Sequence, residues 1–597
     1  MDLISPLPFA PHALFEHDND DLVLASADGL ATFSHGVVDV IYQGSINLGP
    51  IDAATRSPEG QYWCTHGERI ISVDVANRTE PRDVTASFGG SITGRRQIVC
   101  TPDGEIWAEG CSTRRCLDGS FISVPPSPSG NAPTPDALDI YGNRWCLLDT
   151  PSGRQVMVLP ANAPDTWQPA WLPTGSWEFL ISDHVGYVWI AGPDGWRRFC
   201  PRHMEDGWQI VTGDLPSGEA HGEVTAVGIS PDELVMAAYS TGEILELDTN
   251  ADGDLLVRSL ANLPNAATCL LTSHDGAIWA ATADALYRRE PAPTAWQHTW
   301  EKKRGRLPGG GNHDVFSVPC LGKLYVPGGW AGQWGLPPQL HVLDELFAYD
   351  PQTEYWDIVS RMMQPRRYCG VSAMEERVWV VGGETRIPGW TGEGQVLYTV
   401  DIYDPQSDTW SPAPSLNVAR TDPFVLSCNG RIWAIGGAAH NAGPKLDSVE
   451  SIGPGEDTWR FEASLPEPTR QGHACELDGV IYCASIDGMY AYDVTGGRWD
   501  VDFPQPGEIG QGPLIAAYRG EIWLMGGYQD QRSRCFDPVT RTWRDGPDLP
   551  TSQAWAAATV LEGELVIVGG AHWSEGHDTV VFDDRTYALR EGANSTQ

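Results

Sequence analysis

Apolar residues in this chain come in short runs bounded by Gly, Pro and Asp, as in IWAEG, RWCLLD, VWIAG, VWVVGG, IWAIGG and IWLMGG. No long segment keeps a helical period. Short apolar runs between turn residues predict β-strands throughout. The runs group into two repeating patterns. From about residue 15 to 306 the unit is a strand, a Pro/Asp/Gly turn, a strand containing Trp, a tight turn and a third strand. From Asn312 it becomes two apolar runs joined by a turn, a Gly-Gly pair, a loop of varying length, a third run ending in Tyr/Phe-Asp-Pro, and a Trp.

In the first half, Trp63, Trp107, Trp145, Trp189, Met236 and Trp279 occupy equivalent positions, at intervals of 44, 38, 44, 47 and 43 residues. A seventh copy surrounds Leu24, 39 residues before Trp63. A period near forty with three or four strands per unit fits the blade of a β-propeller. The Asp-Gly turns close hairpins, because Gly accepts positive φ. The pattern of Asp-Gly, then Ile-Trp, then Gly and Leu-Tyr resembles the bacterial regulator-type propeller repeats. Without a membrane span or kinase segment, their sensor role does not carry over.

The second half resembles the kelch repeat family, through the double Gly, the Tyr/Phe-Asp-Pro and the closing Trp356, Trp410, Trp459, Trp499, Trp543 or Tyr587. The resemblance implies six blades of four strands over 312–590. The fourth copy departs, with Ser485-Ile486-Asp487-Gly488 in place of the double Gly. The expected fold is therefore all-β, a seven-bladed propeller (15–306) followed by a six-bladed kelch propeller (312–590). Residues 1–14 read as an N-terminal segment, 307–311 as a Gly-rich linker and 591–597 as a tail.

At 597 residues the length calls for more than one core. The formal charge of −40 disfavours nucleic acid and anionic membranes. Only Lys302, Lys303, Lys323 and Lys445 supply lysine, so Arg carries nearly all positive charge. No signal-length or membrane-spanning run occurs, which implies a cytoplasmic protein. The 13 Cys are scattered, several within apolar strands, as free thiols of a reducing compartment would be; Cys111 and Cys116 are near enough to pair.

Strand geometry selects a face. In an antiparallel blade the start of the first strand lies beside the loop after the Gly-Gly pair. About sixteen residues before each first Gly lie Asn312, Arg366 with Arg367 and Tyr368, Arg420, Arg470 with His473, Gln511, and Trp555. Above them stand loops carrying Trp330, Trp390, His440, His572, Trp573 and His577. Loops on a rigid scaffold usually carry function. Arginines at one mouth would make a positive basin for a carboxylate, an acidic peptide or an acidic sugar. In kelch-type repeats Arg at this position also braces blade backbones.

The first functional reading is a non-catalytic scaffold that binds a protein or peptide at this face, with no cofactor. The alternative is a carbohydrate-active enzyme, a lyase, epimerase or mutarotase, with Tyr368, His313 and His473 as acid and base and Arg367 neutralising the sugar carboxylate. A third is a metal-dependent oxidase resembling galactose oxidase. The ligands of a divalent metal would come from His572, His577 and His440, which spacing alone does not bring together.

Overall fold

The computed structural model describes the chain apart from short stretches. The longest of these are 44–49, 90–96, 126–134, 200–208, 211–221, 250–254, 291–299, 386–393, 574–579 and 590–597. The chain divides into two compact units, Met1–Thr294 and Ala295–Gln597. Among the described residues no helix is long and apolar enough to cross a membrane.

The first unit contains seven four-stranded antiparallel sheets among its described residues. The second strand of a sheet can be buried along its whole length, as Tyr62–His66 and Ile278–Thr282 are. Turns before the Trp strand follow the Asp-Gly pattern. Gly104 and Gly276 adopt φ of 81° and 80°, which a side chain resists. Two of these turns also hold the Trp. Asp183 accepts hydrogen bonds from the Gly186 and Tyr187 amides and from Trp189 Nε1, each 2.8 Å. Asp139 likewise accepts from the Tyr141 and Asn143 amides and from Trp145 Nε1, at 2.9, 3.0 and 2.7 Å.

Residues 1–14 are not a separate segment. Asp2–Pro6 pairs with Ala285–Arg289 as the outermost strand of the seventh sheet, and Pro11–Glu16 is the innermost strand of the first. The end of this unit also differs from the expected residue 306. Trp300–Lys302 pairs with Thr586–Leu589 and so forms the outer strand of the last blade of the second unit. Trp300, fully buried among Leu514, Trp523 and Leu589, supplies the apolar reason. Cys111 and Cys116 are free thiols.

The second unit contains six four-stranded blades among the described residues. Blade-to-blade contact comes from three recurring devices. Apolar clusters fill each junction, as where Val378 and Val380 meet Tyr325 and Ala348. The closing Trp reaches back to the preceding blade. Trp410 Nε1 donates to Ser360 Oγ at 3.1 Å, Trp459 Nε1 to the Pro414 carbonyl at 2.8 Å and Trp543 Nε1 to the Pro504 carbonyl at 2.8 Å.

The third device is the Gly-Gly pair. Gly382 and Gly383 have φ of 61° and 95°, and a Cβ on either would stand 2.7–2.8 Å from a backbone oxygen, that of Arg420 or Arg367. This close approach lets the Gly383 amide donate to the Arg420 carbonyl of the next blade at 2.9 Å. The same stitch joins Gly329 to Arg366, Gly437 to Thr469, Gly527 to Gln553 and, closing the ring, Gly570 to Asn312. Among the described residues the fourth blade, which lacks the double Gly, shows no such stitch.

Candidate functional site

Residues before each first strand do lie beside the segment after each Gly-Gly pair. Asn312–His313 pairs with Trp330–Gln333, Arg367 bridges to Glu384, Thr421 to Ala438 and Ala554 to Ala571. The arginines at this face nevertheless form no positive basin. Arg366, Arg367 and Arg420 are at most 1% exposed. Arg366 forms an ion pair with Asp401 and donates to the carbonyls of Gly382 and Thr399, both at 2.9 Å. Arg420 repeats this with Glu450, the Gly436 carbonyl at 2.8 Å and the Ser448 carbonyl at 3.0 Å. Arg367 Nη2 lies 2.7 Å from Glu384 Oε1, and its guanidinium stacks 4.0 Å from the ring centre of buried Trp330.

Each guanidinium is paired with its own carboxylate; backbone oxygens also fix those of Arg366 and Arg420, which brace their blades, whereas Arg367 is held by Glu384 and the Trp330 ring. Asn312, at the same repeat position, is also buried; its Nδ2 donates to the Gly328 carbonyl and its Oδ1 accepts the Trp330 amide. An acid-sugar enzyme using Arg367 loses its carboxylate clamp for the same reason.

Among the described residues the accessible part of the mouth lies over the fourth to sixth blades. A backbone turn recurs two residues after each bracing position, with positive φ at Tyr368, Asp422, Gln471, Gly512 and Trp555. Positive φ is costly for a bulky residue, and such strain concentrates at functional sites. Tyr368 and Asp422 are buried, whereas Gln471 and Trp555 are half-exposed. Arg470, half-buried beside Gln471, has its Nη1 shielded from solvent and without a hydrogen-bond partner among the described residues. Gln511 Nε2 donates to Gln471 Oε1 at 2.9 Å, and the Tyr528 ring stands 6.1 Å from Trp555.

Beneath this mouth the channel is occupied by a ring pair. Phe316, just before the innermost strand of the first blade, meets His473 of the fourth at 4.5 Å between centroids. Burial pushes the His473 imidazole down to about 4, so it is neutral at ordinary pH. A neutral imidazole stacked on Phe is a poor general acid. Phe316 and Tyr528 were not singled out from the sequence. For Tyr528 the signal was available, an aromatic directly after a Gly-Gly pair.

The remaining candidates do not converge. His572, on the short strand Ala571–Trp573, and His440, in a loop of another blade, are half-buried, and among the described residues no three His, Cys, Asp or Glu gather as metal ligands. Trp390 and His577 lie outside the described residues, as do the side chains of Trp573 and His313.

Six blades, five of them joined to the next through a Gly-Gly pair, carry a mouth lined by polar and aromatic side chains. The family model described as Kelch motif matches residues 365–417. Alpha-scruin of Limulus polyphemus is 29% identical over 230 residues, 38% of this chain and 22% of that protein. Kelch-like protein 23 of Homo sapiens is 25% identical over 276 residues, 44% of this chain and 46% of that protein. The chain thus spans less than half the length of either relative. A solved structure titled Structure of YjhT, 14% identical, aligns over 47% of this chain and 96% of its own with a TM-score of 0.37. The second unit thus carries a Kelch motif and is similar to kelch-repeat proteins.

Proposed function

We propose that the second unit is a protein-binding module whose contact surface is the mouth over its fourth to sixth blades, and that it captures a segment bearing a carboxylate. The observation that carries this reading is Arg470. It is the arginine of the mouth whose charge is not already consumed by a bracing carboxylate, and its Nη1 is desolvated without a partner among the described residues. A planar guanidinium held in that state matches a carboxylate in a bidentate pair. Gln471 and Gln511 add donors and acceptors for a backbone, and Trp555 with Tyr528 adds amphipathic area of the kind enriched at interfaces.

The test is affinity capture from the source organism's lysate, read by mass spectrometry, with wild type, Arg470→Ala and Arg470→Lys compared. A partner held by wild type should be lost by at least about tenfold in Arg470→Ala, as for a truncated charged contact. Arg470→Lys should recover only part of it, since Lys cannot form the bidentate pair. Equal capture by all three proteins would remove the mouth as the contact surface.

A further inference from the structure

A second site lies on the opposite end of the blades, where the ring of the second unit closes. A cavity of about 540 Å³ separates the last blade from the first. Its walls include Leu561, Glu564 and Val566 from the last blade, Glu301 from the outer strand that completes that blade, Lys303 just after it, and Tyr349 from the first. Ligand cavities commonly fall in this size range, about 300–1,000 Å³.

The repeat itself shows what is unusual here. In the second blade Tyr403 Oη donates to Asp408 Oδ1, five residues on, at 3.1 Å. Tyr349 and Glu354 hold the same two positions in the first blade, and both acids adopt positive φ, 49° at Asp408 and 59° at Glu354. Yet Glu354 is drawn away. It lies 3.6 Å from Lys303 Nζ and accepts the Arg304 amide at 3.3 Å. Tyr349 is 2% exposed, and its hydroxyl has no hydrogen-bond partner among the described residues. The corresponding cavity between the fourth and fifth blades is smaller, about 280 Å³, and carries Phe536 in place of Tyr349. The unpartnered hydroxyl is therefore a feature of the closing junction and not of the repeat.

Charge selects the ligand. Three carboxylates surround the single Lys303 ammonium, Glu564 at 3.3 Å, Glu354 at 3.6 Å and Glu301 at 3.8 Å. One cation leaves two of those negative charges uncompensated, while Leu561 and Val566 offer apolar wall. These carboxylates are spread around an ammonium and do not converge as the ligands of a metal do. We propose that this cavity binds an organic cation, a primary ammonium or guanidinium head on a short apolar stem, whose N–H groups donate to Tyr349 Oη and to the surrounding carboxylates.

Isothermal titration calorimetry on the full chain tests it, with agmatine and with acetylated, amidated arginine as probes, against sodium chloride at matched ionic strength. Saturable binding of either probe is expected. Tyr349→Phe should weaken it about tenfold, the scale of one hydrogen bond to a charged group. The same variant should raise the unliganded thermal midpoint by about 2–4 °C, because it removes a buried hydroxyl without a partner. Phe already stands at the equivalent position of the fifth blade, so folding is preserved. Glu564→Gln should weaken binding by a similar factor. Binding of agmatine alone points to free amines, and binding of the arginine derivative alone to a side chain presented by a peptide. No saturable heat with either probe, or equal affinity in wild type and Tyr349→Phe, overturns the proposal.

Discussion

The two units solve the same problem, holding flat sheets in a ring, with different polar devices. In the first, the anchor is local. Asp183 and Asp139 each fix a Trp six residues downstream in the same hairpin. In the second, the anchor is long-range. Arg366 and Arg420 reach carboxylates 35 and 30 residues away, on the third strand, while their carbonyls receive the stitch from the previous blade. A local anchor confines a defect to one turn. An arginine whose side chain ties its own blade while its backbone joins the previous one propagates the defect around the ring.

The largest effect expected from this contrast is at Arg420. Arg420→Ala leaves Glu450 buried and uncompensated, at a cost of about 3–5 kcal/mol. Denaturant unfolding of the full chain should show the transition of the second unit shift while that of the first stays fixed. The Arg420→Leu/Glu450→Leu double variant should regain most of the loss. A single-variant loss under about 1 kcal/mol would contradict the bracing role. Asp183→Ala should cost less, about 1–3 kcal/mol, because the freed groups sit in one hairpin. Hydrogen exchange should show the loss confined to that turn and its strands; spread through all seven sheets would erase the distinction.

The smallest effect concerns pH. Burial holds His473 at about 4 in the folded chain, below the usual 6.5. The unfolded chain therefore takes up the proton first. The group's contribution to stability is complete above about pH 6.5 and is lost as pH falls toward 4. His473→Asn should flatten the stability profile in that window. An unchanged slope would mean that the imidazole protonates without leaving the Phe316 stack.

The blade count was legible because most repeats announce themselves through turn glycines and a Trp, which are backbone and packing requirements. The closing strands were not. Asp2–Pro6 and Trp300–Lys302 are too short to carry a period, and they are strands only through partners almost three hundred residues away. The positions around the mouth were legible by counting back from the Gly-Gly pair, but not their chemistry. The counterparts of Arg366 and Arg420 lie on a different strand. A signal existed, since Asp401 stands two residues before Tyr403, where the first blade, with Asn312 in place of Arg, has Phe347 two residues before Tyr349. Arginine and acid vary together across these blades. Reading them jointly would have moved the site toward Arg470.

The closing strands also set a timetable for the nascent chain. The seventh sheet needs Asp2–Pro6 and Ala285–Arg289, so the first ring can shut as soon as residue 289 has cleared the ribosome. The second cannot, because Trp300–Lys302 waits as an unpaired edge until Thr586–Leu589 has been made. Throughout that interval the chain carries one finished disc and one growing row of blades with an open end. A stop codon anywhere before residue 586 would leave that end exposed as a sticky strand edge, while the first disc survived intact.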